Sequence, residues 1–201
     1  MTTAARRSPL PLAELLAQDG TDPRTRYRLK QRLSTYTRAR TVALGPFLRV
    51  VFEDDWTRRL QAARGRWSRS SAGDPPAWAM PAAPAGHAPW QATMQIALET
   101  PLLRAQWLAT LIEAAHHLCL EIARGTRVPA SVLAPCLLNE AGLAAQQPLR
   151  FDMPHHGLAA LRAGKEPSLA LACTHTRYSW RRVIPAPTIA LLLGSAGSPA
   201  S

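Results

Sequence analysis

The sequence predicts an α+β fold in one domain, with N-terminal helices, a β-hairpin and a mainly antiparallel sheet packed with helices. Three observations predict it. Short apolar runs alternate with period two, stretches with apolar residues four apart stand between them, and the connections are short, with no Gly-rich strand-to-helix loop. A chain of 201 residues, 47% of them hydrophobic, is long enough to bury one sizeable core.

Leu10 to Leu16 has partly helical spacing and stops at Gly20 to Pro23. A second helix is expected from Arg24 to Thr37, with Leu29 and Leu33 on its apolar side and Arg24, Arg28 and Arg32 as a basic stripe. Val42 to Leu44 and Phe47 to Phe52 flank Gly45-Pro46, which reads as a β-hairpin. Leu48, Val50 and Phe52 share one face by the period-two rule and are expected to be buried. Asp54 and Asp55 stand where they can cap a helix beginning near Trp56.

Residues 68 to 89 are rich in Pro, Ala and Ser and are expected to form a long inserted surface loop, pinned by Trp78 and Met80. Trp90 to Glu99 reads as a strand, Pro101 to His116 as a helix with Leu103, Trp107, Thr110, Leu111 and Ala114 turned inward, and Leu118 to Ile122 as a strand. Val128 to Leu138, interrupted by Pro129 and Pro135, is ambiguous. Leu149 to Met153 is a short strand, His155 to Ala163 a helix stopped by Gly164, and Ser168 to Thr174 a strand. Tyr178 to Ile184 reads as a last strand, Thr188 to Leu193 as a last helix, and residues 195 to 201 as a disordered tail.

No apolar run approaches the roughly 18 residues that cross a bilayer, and Pro9 and Pro11 interrupt the start, so no membrane partner and a cytoplasmic location are expected. Cys119, Cys136 and Cys173 stand singly in apolar surroundings. They read as small buried hydrophobes, not as a disulfide framework or thiolate metal site. The formal charge is +11, and residues 1 to 70 hold 15 Lys and Arg against 6 Asp and Glu. Nucleic acid, an acidic protein or an anionic surface fits a face made of Arg24, Arg28, Arg32, Arg38 and Arg40. Since 22 of the 24 basic residues are Arg, an Arg-favouring coding background fits the same observation, and the solvated surface is the reading preferred here.

His116 and His117 point about 100° apart on a helix, and Glu113, four residues before His117, can share its face, which makes a two-ligand fragment at most. Neither a metal nor any other cofactor is expected. Arg150, His175 and Tyr178 form a second constellation: a guanidinium, an imidazole and a phenol suited to a small anion or carboxylate if their strands are neighbours. The structural alternative pairs Arg150 with Asp152 or Glu166 and has Tyr178 capping the sheet edge. No nucleophile sits on a recognisable strained turn, so no catalytic residue is assigned. Trp56, Trp67, Trp78, Trp90 and Trp107 read as core packing, with Trp67 and Trp78 the better interface candidates.

The block from Arg40 to Thr57, R-T-V-A-L-G-P-F-L-R-V-V-F-E-D-D-W-T, resembles an uncharacterised bacterial family, the domain of unknown function numbered thirty-five-oh-one. Three further segments are similar to family motifs in the same order: Trp90 to Met94, Leu149 to Pro154 and His175 to Tyr178. The chain departs from the family where Gln61, Arg64 and Gly65 replace a Gln-rich helix with a Glu-Met pair, where Gln147 replaces a His, and where Thr174-His175 replaces Asp-His. The resemblance implies a non-catalytic accessory or small-ligand-binding protein beside redox or oxidative-stress systems, with a redox protein as partner. A nucleic-acid binder and an enzyme acting on a small carboxylate are the alternatives.

Overall fold

A computed structural model describes residues 23–54, 84–122, 125–138, 144–164 and 168–195. The expected helix at Leu10 to Leu16, the Asp55 cap with its helix near Trp56, and residues 68–83 of the proline-rich loop lie outside them. So do Trp67 and Trp78.

Helix α1 (Pro23–Arg38) lays Leu29 and Leu33 on the core and leads into a hairpin of β1 (Thr41–Leu44) and β2 (Leu48–Glu53). The hairpin register, Thr41 opposite Val51 through Leu44 opposite Leu48, is the one the alternation predicts, and Leu48, Val50 and Phe52 are fully buried. The turn falls at Gly45, whose φ of 69° is left-handed. A Cβ there would also stand 2.6 Å from the Trp180 ring and the Tyr178 hydroxyl, so glycine is needed twice over.

Beyond the hairpin come β3 (His87–Ala97), α2 (Pro101–Ala114) and a 3-10 turn (Ala115–His117). There follow β4 (Leu118–Ile122), β5 (Thr126–Val132), β6 (Leu137–Leu138), β7 (Ala144–Pro154) and α3 (His155–Ala163). The described chain closes with β8 (Leu169–His175), β9 (Tyr178–Val183) and α4 (Ala186–Ser195). Thr100 starts α2 by accepting from the Leu103 N–H, with Pro101 at the first helical position, where its missing N–H has no partner to lose. Ser195, expected in the tail, is the last residue of α4.

Every strand pair among the described residues is antiparallel, in the order β1-β2-β3-β7-β5-β4-β8-β9, with β6 set against β7. The sheet curls until its two ends approach. The Tyr178 hydroxyl at the start of β9 donates to the Leu44 carbonyl of β1 and accepts from the Phe47 N–H, closing the gap with a side chain. Interior positions follow the register: Phe52, Ala92 and Leu149 form one row, and Val50, Met94 and Gln147 the next. Ile189 and Leu192 of α4 join the same core, while the Thr188 hydroxyl bonds the Ala39 carbonyl and fixes this helix to the junction of α1 and β1.

One expectation about proline is corrected and one ambiguity is resolved. Residues 87–89, assigned to the loop, belong to β3, and the ambiguous Val128 to Leu138 region holds most of β5, which begins at Thr126, and all of β6. A proline withholds one ladder hydrogen bond, so it fits where a neighbouring ladder is interrupted. Pro89 lies beyond the last β2–β3 pair, Gln91 with Glu53. Pro129 stands where β5 passes from β4 to β7, and Pro148 falls between the segments of β7 that pair with β6 and with β5. The same tolerance lets β7 run for 11 residues where the sequence suggested a short strand.

Candidate functional site

At one end of the sheet, three potential ligands meet. Leu118 pairs with Cys173, which places the next residues of β8, Thr174 and His175, alongside the 3-10 turn at the end of α2. The Thr174 hydroxyl reaches the His117 carbonyl at 3.4 Å. The His117 and His175 rings lie edge to face with centroids 5.1 Å apart, and His175 Nε2 is 3.6 Å from Glu113 Oε2. One ligand atom from each of Glu113, His117 and His175 lies within 4.8 Å of the other two. His175 is 5% exposed; Glu113 and His117 are at the surface.

Spacing along the chain pairs Glu113 with His117 and shows no third ligand, because the third member is 58 residues beyond His117 and arrives only through the β4–β8 register. His116 lies outside the cluster, in line with the 100° step that separates it from its neighbour. The hydrogen-bond geometry also fixes a proton. The Arg177 N–H donates to His175 Nδ1 at 3.2 Å, so the neutral ring carries its hydrogen on Nε2, toward Glu113. A cation at Nε2 takes the place of that hydrogen, and moving it to Nδ1 costs the contact with Arg177.

Of the proposed Arg150, His175 and Tyr178 set, the structure joins two and separates one. His175 and Tyr178 are directly paired across β8 and β9. Arg150 alternates with Leu149, Phe151 and Met153, which line the core, and therefore faces the opposite side of the sheet from Tyr178 and from the Leu171, Cys173 and His175 row. Its Nε bonds Asp152 Oδ1 at 2.6 Å, the structural alternative foreseen for it. The carboxylate-binding trio is thereby corrected: period two on β7 sends the guanidinium away from the imidazole and phenol.

The Arg face is also corrected at one position. Arg24, Arg28, Arg32 and Arg38 are exposed, whereas Arg40 is 3% exposed. Its guanidinium contacts Asp54 at 2.9 Å, bonds the Tyr36 hydroxyl at 3.1 Å and lies 3.9 Å from the centre of the Tyr36 ring. Tyr36 in turn donates to Asp54 at 3.0 Å. Asp54, read as a helix cap, is therefore engaged in a buried clamp between α1 and β2.

All three cysteines are free thiols, and burial raises the pKa of each, which keeps them protonated and weakly nucleophilic. Gln147 is 3% exposed, and its side-chain carbonyl has no hydrogen-bond partner among the described residues. It faces the interior opposite Met94. The signal available in the sequence was its departure from the family's usual His.

Burial raises the Tyr178 phenol above 10, against a lowering from its backbone hydrogen bonds, and burial followed by the Asp54 contact raises Tyr36. A raised folded-state value means stability that is present below the unfolded value near 10 and is lost as pH climbs through the folded one. Urea midpoints should accordingly fall above about pH 10. The Tyr36→Phe, Tyr178→Phe double variant should show a shallower fall, and an unchanged alkaline slope would contradict this assignment.

Comparison with known proteins agrees with the resemblance read from the motifs. The family described as Protein of unknown function (DUF3501) matches residues 82–196, more than half of the chain. The chain belongs to that family. The matched span holds three of the four family-like motifs; the Arg40 to Thr57 block precedes it. Its fold is similar to the crystal structure of a novel protein of unknown function from Burkholderia pseudomallei, with 23% identity and a TM-score of 0.63, covering 96% of this chain and 99% of that one. No curated protein matches. No described helix is long and apolar enough to cross a membrane.

Proposed function

We propose that this protein is a non-catalytic accessory module that holds a divalent transition-metal ion at Glu113, His117 and His175. The observation that carries the reading is the approach of one carboxylate and two imidazoles to within 4.8 Å of one another. Two His and one carboxylate suit zinc with a fourth position open, and equally iron(II). Ligand atoms about a tetrahedral zinc stand roughly 3.3 Å apart, from bond lengths near 2.0–2.1 Å. The exposed Glu113 and His117 side chains can close inward on the buried His175. The place beside redox proteins that the family resemblance implies would make custody of such an ion the accessory role.

Titration calorimetry with zinc chloride, and the visible spectrum of the cobalt(II) form, test the site. One equivalent should bind, and His117→Gln or Glu113→Gln should weaken it by at least the roughly 10–100-fold that even a second-shell partner is worth. Both positions are exposed, so these variants should fold. His116→Gln should bind as the parent does. Absence of saturable binding, or equal losses for His116→Gln and His117→Gln, would sink the proposal.

A further inference from the structure

The solvent face of α1 carries a different chemistry from that of the metal cluster. Across Pro23–Arg38 stand five Arg and one Lys and no Asp or Glu. Leu29 and Leu33 turn to the core, so the 100° helical step puts Arg24, Tyr27, Arg28, Gln31 and Arg38 on the other side, and all five are exposed. Arg32 flanks them, also exposed. Tyr27 is 62% exposed, and the Gln31 side-chain amide donates to its hydroxyl at 3.0 Å, holding the outer edge of the ring.

We propose that this face of α1 binds single-stranded nucleic acid, with an unpaired base stacked on Tyr27 and backbone phosphates held by Arg28, Arg32 and Arg38. An exposed aromatic ring on a helix whose solvent side carries several guanidinium groups supplies the two elements of sequence-tolerant strand binding, a stacking surface and an electrostatic track. Duplex is the poorer fit, since its bases are already stacked and leave Tyr27 without a partner. A membrane surface is also a poor fit. A helix lying in a lipid interface needs an apolar face to insert, and α1 has already buried Leu29 and Leu33. The platform is firm: the buried Arg40–Asp54 pair and the Thr188 bond to Ala39 both fasten the end of α1 to the rest of the fold.

The test uses the full chain at low salt and follows the anisotropy of fluorescent oligo(U), oligo(dT) and a matched duplex. Either single strand should bind more tightly than duplex. Tyr27→Ala should lose roughly fivefold or more, the lower end of the stacking contribution per base. The Arg28→Gln, Arg32→Gln double variant should flatten the log–log salt dependence by about 1.4, at about 0.7 for each phosphate contact on a single strand. These side chains are exposed, so circular dichroism should be unchanged in all variants. The inference is overturned by failure to bind single strands, by equal binding of duplex, by a Tyr27→Ala variant that binds as the parent does, or by retention on anionic vesicles or polyglutamate without binding of either oligonucleotide.

Discussion

Asp54→Ala is expected to destabilise the protein by about 3–5 kcal/mol, the usual consequence of removing one member of a buried ion pair. The Arg40 and Asp54 side chains are only 4% and 8% exposed, so the remaining guanidinium would stay out of water with its main counter-charge gone. Its Nε already has no hydrogen-bond partner among the described residues, which makes further loss harder to absorb. The Tyr36 hydroxyl would lose its acceptor in the same step. At roughly 2–4 °C per kcal/mol for a chain of this size, the melting temperature should fall by about 6–20 °C. Asp54→Asn should lose less, since it keeps an acceptor for Tyr36 and Arg40. A drop of less than about 1 kcal/mol in Asp54→Ala, the value typical of exposed pairs, would show that the clamp is open to solvent.

Phe52→Ala should be comparably severe, at about 3–5 kcal/mol, because a fully buried aromatic leaves both lost transfer free energy and a cavity. Phe52 packs with its ring centre 6.2 Å from that of Trp90, edge to face, and 6.0 Å from that of Phe151. Those rings come from β3 and β7, so the cavity would open at the joint of three strands and could not collapse without shifting the sheet. Urea unfolding should show a lower midpoint with an unchanged slope. Phe52→Leu, which keeps most of the volume, should recover a large part of the loss. Wild-type stability in Phe52→Ala would mean that the period-two face of β2 is not the core face.

The elements legible in the sequence have a common property: their signal is local. Leu48, Val50 and Phe52 alternate within one strand, Gly45 supplies the turn, and Pro101 opens a helix, so each could be read from a few neighbouring residues. Prolines misled for the complementary reason. Whether Pro89, Pro129 or Pro148 is tolerated in a strand depends on which neighbouring ladder is interrupted beside it, and that is a property of the assembled sheet.

The site divides in the same way. Spacing within α2 and the turn after it gave Glu113 and His117, and the absence of a nearby third ligand argued for nothing more. Only the β4–β8 register brought His175 to them, while the pleat of β7 turned Arg150 away from the group it had been placed with. By itself the sequence determined the α+β class, the hairpin and most of the strands and helices, because those follow from periodicity and turn chemistry along the chain. Tertiary structure alone decided the closure by Tyr178, the burial of Arg40 and the meeting of Glu113, His117 and His175, because each depends on contacts between residues distant in sequence.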